Sequence, residues 1–210
     1  MQTRTSTHKF FLILLASTLC IGVLLLTRHL TKNRIERNER AWLEAQIDSL
    51  LPKSLHDNNL LDDHTVIPAP SDLSPTGQLA VYRARLKQES TGVVIHSITS
   101  EGYNGPIDLL IAVDYNGTIQ GVRILNHHET PGMGDAFNQP GSTWLDNFKQ
   151  RSLTNPDTRG WNVRKEGGEF EQFTSATITP RAIIHAIQRT LDFYSRNKDL
   201  IYSSEIKSPQ

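Results

Sequence analysis

Residues 10–27 read FFLILLASTLCIGVLLLT, eighteen consecutive positions without a charge. In lipid no water is available to backbone N–H and C=O groups, so a single apolar run of this kind is restricted to a helix. As a helix it spans about 27 Å, close to the ~30 Å hydrocarbon core of a bilayer. Arg28 and His29 follow and can snorkel towards the headgroups. Arg4 and Lys9 would also suit the basic start of a cleaved signal peptide. The run is long for that, however, and no small-x-small cleavage site follows it, only Arg28-His29-Leu30-Thr31-Lys32. The expectation is a retained transmembrane anchor over residues 10–30, after a short flank at 1–9. The sole cysteine, Cys20, lies inside the run. An intrachain disulfide and a thiolate metal cluster are therefore excluded.

The 22 Lys/Arg and 22 Asp/Glu balance overall, but residues 1–40 carry 7 basic against 2 acidic side chains. The remainder is acidic, which argues against nucleic acid as a partner. Arg28, Lys32, Arg34, Arg37 and Arg40 crowd the far flank of the apolar run, and only Arg4 and Lys9 precede it. Taken alone, this charge bias places the larger part of the chain on the cytoplasmic side.

Residues 31–78 read as helix and linker. Ile35, Trp42, Leu43, Ile47, Leu50 and Leu51 form a broken apolar stripe, and Pro52 ends it. The mixture of Asp, Asn, Pro and Ser from His56 to Thr76 is expected to be loop. In it Asp62-Asp63-His64 is read as a solvated turn rather than a metal site. Residues 79–86 and 92–99 are expected strands joined through Lys87–Thr91. Pro106–Asp114 and Thr118–Leu125 flank Asn116-Gly117, a strong short hairpin signal. Ile107, Leu109, Ile111 and Val113 share one face, while Leu110 and Ala112 imply cover on the other. Trp144, Leu145 and Phe148 suit a short helix within 137–152, and Trp161–Glu169 another strand and turn. From Pro180 to about Arg196, Ile183, Ile184, Ile187, Leu191 and Tyr194 line one face of an amphipathic helix. The fold class expected is α+β: a small, mostly antiparallel sheet with packed helices over 79–196, preceded by the transmembrane helix and followed by a polar tail at 197–210.

Just before that last helix, Glu171-Gln172-Phe173-Thr174-Ser175-Ala176-Thr177-Ile178-Thr179-Pro180 packs four hydroxyl side chains into six positions. Pro180 suits the first helical position and Thr179 the cap. Thr174, Ser175 and Thr177 are then left without a capping role, beside a helix end that attracts phosphate. A second polar stretch, Glu129 to Gly134, holds Thr130 and the glycines Gly132 and Gly134, which permit close backbone approach to a flat ring. His127-His128-Glu129 is not expected to bind metal, because neighbours in a strand point to opposite faces. No nucleophile–base pair, phosphate loop or dinucleotide fingerprint is present, so no catalytic residue is assigned, and the chemistry falls to a cofactor.

Three of these stretches together resemble the FMN-binding domain family. Residues 171–177 are similar to its flavin-attachment motif, Asp-x-x-Ser/Thr-Gly-Ala-Thr, with Glu171 for Asp and Ser175 for Gly. Gly102-Tyr103-Asn104-Gly105-Pro106-Ile107 resembles Gly-Tyr-x-Gly-Pro-Ile. His127-His128-Glu129-Thr130-Pro131-Gly132-Met133-Gly134 resembles His-x-Glu-Thr-Pro-Gly-Leu-Gly. The resemblance covers about 79–194. It implies FMN joined through its phosphate to Thr177, with Thr174, Ser175, Ala176, Thr179, Glu129, Thr130, Gly132 and Gly134 around it.

The single anchor and the Ala-Thr-Ile-Thr-Pro stretch make the chain similar to flavin subunits of the Rnf electron-transport complex, with the sodium-translocating NADH:quinone reductase as a relative. The resemblance implies a subunit that relays electrons through covalent FMN in an ion-translocating complex of the bacterial inner membrane. Its partners would be membrane and iron–sulfur subunits and a flavin transferase. The domain would lie on the periplasmic side, against the charge bias. The alternative is an anchored flavin sensor or ligand-binding module without electron throughput.

Overall fold

The first element of the computed structural model, which describes residues 3–173 and 176–203 (side chains from residue 12 onward), is the helix α1, Thr3–Asp48. The chain divides into two units, Met1–Leu43 and Glu44–Gln210. In the first, α1 is long and apolar enough to cross a membrane, and none of its apolar span is buried within the protein. Its hydroxyls are satisfied locally. Ser17 and Thr18 donate to the Leu14 carbonyl and Thr27 to that of Val23, each at 2.8 Å. Ser17, Thr18 and Thr27 therefore offer lipid no unpaired hydroxyl.

The second unit is a five-stranded antiparallel meander in the order β1-β2-β3-β4-β5. The strands are β1 (His64–Pro68), β2 (Gln78–Leu86), β3 (Glu89–Gly102), β4 (Gly105–Asp114) and β5 (Ile119–His127). Alternation sorts the side chains. Val93, Ile95, Ile107, Leu109, Ile111 and Val113 join one core, closed by Ile183, Ile184, Ile187 and Leu191 of helix α2 (Ile178–Arg196). Leu110 and Ala112 on the opposite face are also fully buried. On that face Leu50, in the loop after α1, packs directly on Gly121, the partner of Ala112 in β5. Both expectations for β4 are met.

Several local expectations are corrected. The stretch 56–76 is not all loop, because β1 pairs with β2 from His64↔Tyr82 to Pro68↔Gln78. Five residues with a proline at the end fall below what pattern reading resolves, and the strand exists because β2 offers it an edge. Asp63 is not a solvated turn residue: its carboxylate pairs with Arg83 at 2.6 Å and Arg85 at 2.5 Å. The β2–β3 connection is two residues, Lys87 and Gln88, with φ of +52° and +71°. Their positive φ matches the strand twist, without the Asn-Gly that normally supplies it.

No strand forms at 161–169. A 3-10 turn at Arg164–Glu166 is held by a single bridge, Val163↔Phe170. The expected helix within 137–152 is two 3-10 turns, Ala136–Asn138 and Trp144–Phe148. The tail is not polar throughout: α3, Lys198–Tyr202, buries Ile201 completely.

Candidate functional site

At the end of β5 the chain turns sharply. Glu129 N–H donates to His127 Nδ1 at 3.2 Å, and the N–H groups of Met133 and Gly134 both donate to the Thr130 carbonyl at 3.1 Å. Gly132 sits in this turn at φ +77°, and its N–H donates to Asp135 Oδ1 at 2.7 Å. The turn folds Glu129 inward until only 4% of it is exposed. Thr179 Oγ1 donates to its Oε2 at 2.7 Å, and Asn104 N–H approaches Oε1 at 3.4 Å. Asn104 Nδ2 also donates to Thr130 Oγ1 at 2.9 Å, tying the β3–β4 hairpin to this loop. No cation pairs with Glu129 among the described residues.

Two glycines make room for that carboxylate. A Cβ on Gly134 would lie 2.6 Å from Glu129 Oε2, and one on Gly102 would lie 2.9 Å from Oε1. The close approach expected at Gly134 is thus to a side chain of the protein itself.

Glu171, Phe173 and Ala176, on either side of Thr174-Ser175, are each held by a defined contact. Trp144 Nε1 donates to the Glu171 carbonyl at 2.8 Å, and Arg164 pairs with the Glu171 carboxylate at 2.6 Å. Phe173 is buried, its ring 5.0 Å from Trp144 and 6.0 Å from Phe137. Ala176 N–H donates back to the Phe173 carbonyl at 3.2 Å. α2 then starts at Ile178, two residues before the expected start, with Thr177 in the cap position. The expectation that Thr179 caps the helix is therefore corrected: Thr179 is fully buried and spends its hydroxyl on Glu129. Pro180 is tolerated at the third helical position, since the first-turn N–H groups have no intrahelical partner anyway. Thr177 makes no side-chain capping bond. The residue is half-buried, and its hydroxyl has no partner among the described residues.

These segments enclose a pocket of about 190 Å³ lined by Tyr103, Glu129, Thr130, Met133, Gly134 and the run Ala176 to Thr179. Of the residues expected from sequence, Glu129, Thr130, Gly134, Ala176, Thr177 and Thr179 line it. Gly132 shapes the loop without lining the pocket. Thr174 and Ser175 lie outside the described residues. Tyr103, Met133 and Ile178 were missed, although two of them sit inside recognised motifs. They are 67%, 52% and 46% exposed, an apolar rim around a polar floor. That combination suits a flat aromatic ring carrying an anionic tail: apolar side chains for the ring, an accessible hydroxyl and a helix N-terminus for a phosphate. Among the described residues no three His, Cys, Asp or Glu side chains converge so as to hold a metal.

The model of the FMN-binding domain matches residues 102–192, a span that contains every residue of the pocket. The chain is 35% identical over 185 residues to the G subunit of the ion-translocating oxidoreductase complex of Vibrio vulnificus, covering 88% of this chain and 87% of that protein. The corresponding protein of the same name from Vibrio parahaemolyticus is 36% identical over 185 residues, with 88% and 87% covered. That from Pseudomonas aeruginosa is 35% identical over 185 residues, with 88% and 86% covered.

Proposed function

The chain belongs to the family of G subunits of ion-translocating oxidoreductase complexes, and from that membership we propose that it is a membrane-anchored flavoprotein relaying electrons through FMN joined covalently to Thr177. The observation that supports the attachment site is Thr177 itself, which lines the pocket and whose hydroxyl has no partner among the described residues. Thr179, the other hydroxyl of this helix start, is fully buried and already bonded to Glu129.

When bound, FMN supplies reversible one- and two-electron chemistry. The chain supplies position. Thr177 contributes the oxygen of the phosphoester, and the first turn of α2 favours the phosphate charge through its free N–H groups and dipole. Tyr103, Met133 and Ile178 offer apolar surface to the ring, and Glu129 places a carboxylate in the pocket lining. Attachment needs a flavin nucleotide activated as a pyrophosphate and a transferase to present it. Thr177 Oγ1 would hold the FMN phosphate as an ester, its hydroxyl proton going to a base of the transferase as a nucleoside monophosphate leaves the cleaved pyrophosphate.

α1 anchors the domain in the bacterial inner membrane with the flavin domain on the periplasmic side. Electrons arrive from and depart to other subunits of the complex, membrane-embedded and iron–sulfur-bearing. Co-expression of the full chain with a flavin transferase tests the attachment, read as flavin fluorescence on a denaturing gel and as a mass increment. Thr177→Ala is expected to fold and carry no covalent flavin, while Thr179→Ala keeps some. Flavin persisting on Thr177→Ala would refute the assignment.

A further inference from the structure

Three sequence-distant segments converge on one buried carboxylate. Gly102 and Asn104 come from the β3–β4 hairpin, Gly134 from the loop after β5, and Thr179 from the first turn of α2. Each meets Glu129, whose two oxygens are enclosed by the Thr179 hydroxyl, the Asn104 N–H and two positions where any Cβ would intrude. A carboxylate this enclosed, with no cation beside it among the described residues, depends on the donors it has. Thr179 provides the shortest of those bonds, at 2.7 Å from a fully buried hydroxyl.

We propose that Glu129 and Thr179 form a clasp that locks the first turn of α2 onto the two loops and so aims the Thr177 hydroxyl for flavin attachment. Thr179 is a positioning residue, not an acceptor. This deepens the reading of Thr177 as the attachment point and rests on it. Thr177 lies two residues before Thr179 and has no side-chain bond of its own among the described residues. Its direction is therefore set by its backbone, and that backbone by what holds the helix start. The α2 core face holds the helix to the sheet from Ala182 onward; in the first turn Pro180 is also buried, and Thr179 bonds through its hydroxyl to Glu129. The clasp governs that first turn.

The geometry also explains how the two threonines of Thr177-Ile178-Thr179 divide their work. Thr179 spends its hydroxyl on the buried carboxylate, while Thr177, in the cap position, has no side-chain bond among the described residues.

The test uses the full chain in detergent with purified transferase. Thr179→Val removes the hydroxyl at nearly constant shape, and Thr179→Ser restores it. The expected result is a fall of tenfold or more in the kcat of flavin loading for Thr179→Val, with KM within about twofold. Thr179→Ser should lie within about threefold of wild type in kcat. Hydrogen exchange without flavin gives an independent reading. Thr179→Val should exchange at least tenfold faster at the hydrogen-bonded amides of Arg181, Asn104, Glu129, Met133 and Gly134, with the rest of α2 unchanged. Wild-type loading kinetics in Thr179→Val, or unchanged exchange at those amides, overturns the clasp. A wild-type chain that never acquires covalent flavin overturns the attachment reading instead, and the exchange comparison still decides whether the clasp exists.

Discussion

At the scale of single residues, Glu129 concentrates the most consequence. Thr179→Val leaves its carboxylate one donor short in a buried site, a cost of about 1–3 kcal/mol. Chemical denaturation of the variant should show a midpoint lowered accordingly. Gly134→Ala presses a methyl group to within 2.6 Å of Oε2. Relief requires the carboxylate or the loop to shift, at about 1–3 kcal/mol. The same denaturation measurement should place this loss beside that of Thr179→Val, and the double variant should lose less than both together, because the two changes break one contact. Glu129 also lines the pocket with a carboxylate, which would oppose added charge on a reduced flavin held there as proposed. Glu129→Gln is therefore expected to raise the flavin midpoint potential in a redox titration of folded, loaded protein. An unchanged potential would remove the electrostatic role and leave Glu129 with a structural one.

At the scale of elements, the β2–β3 hairpin and the aromatic seam beneath the site behave differently. Lys87 and Gln88 hold positive φ without glycine or asparagine. Substituting Asn-Gly should stabilise the domain by about 1 kcal/mol, since it removes a Cβ clash that an L-residue bears in the left-handed region. A thermal midpoint that does not rise would show that the turn relaxes by other means. Beneath the hydroxyl-rich segment, Phe148 is fully buried with ring centroids 4.6 Å from Phe170 and 5.2 Å from Trp144. Irregular backbone between β5 and α2 has few ladder bonds to hold it, so rings supply its packing. Phe148→Ala should cost about 3–5 kcal/mol.

At the scale of the whole molecule, the two C-terminal helices are tied to the β4–β5 turn through tyrosines. Tyr194 of α2 lies 3.1 Å from Tyr202 of α3, hydroxyl to hydroxyl, and 3.2 Å from the carbonyls of Asp114 and Tyr115 in the β4–β5 turn. Burial pushes the Tyr194 phenol up to about 12 and drives Tyr202 in the same direction. An acid whose folded value exceeds its unfolded value of about 10 keeps its proton longer when folded. The stability it contributes is complete below pH ~10 and is lost as pH rises towards 12. Denaturant midpoints should therefore be level up to about pH 10 and fall beyond it. The arrangement across the membrane is tested separately: a reporter active only in the cytoplasm, fused after Gln210, is expected to stay silent. Strong activity would reverse the orientation and favour the charge bias of Arg28, Lys32, Arg34, Arg37 and Arg40.

The sequence by itself determined the features that depend on near neighbours. Eighteen uncharged residues in a row specify a helix that lipid can accept. Period-two alternation specified β4 and its two buried faces, and the spacing from Ile183 to Tyr194 specified the buried face of α2. The motif order pointed to Thr177 as the attachment residue proposed above, and Thr177 lines the pocket. What only the tertiary structure decided were contacts between distant segments. β1 is a strand because β2 presents an edge to it. Asp63 is an ion-pair partner because two arginines of β2 face it. Thr179 resembles a helix cap in sequence, where a threonine before a proline satisfies the local rule. In the folded protein a carboxylate fifty positions earlier takes its hydroxyl. Local pattern cannot register such a partner, because the energy of a buried hydrogen bond depends on which groups the fold has removed from water.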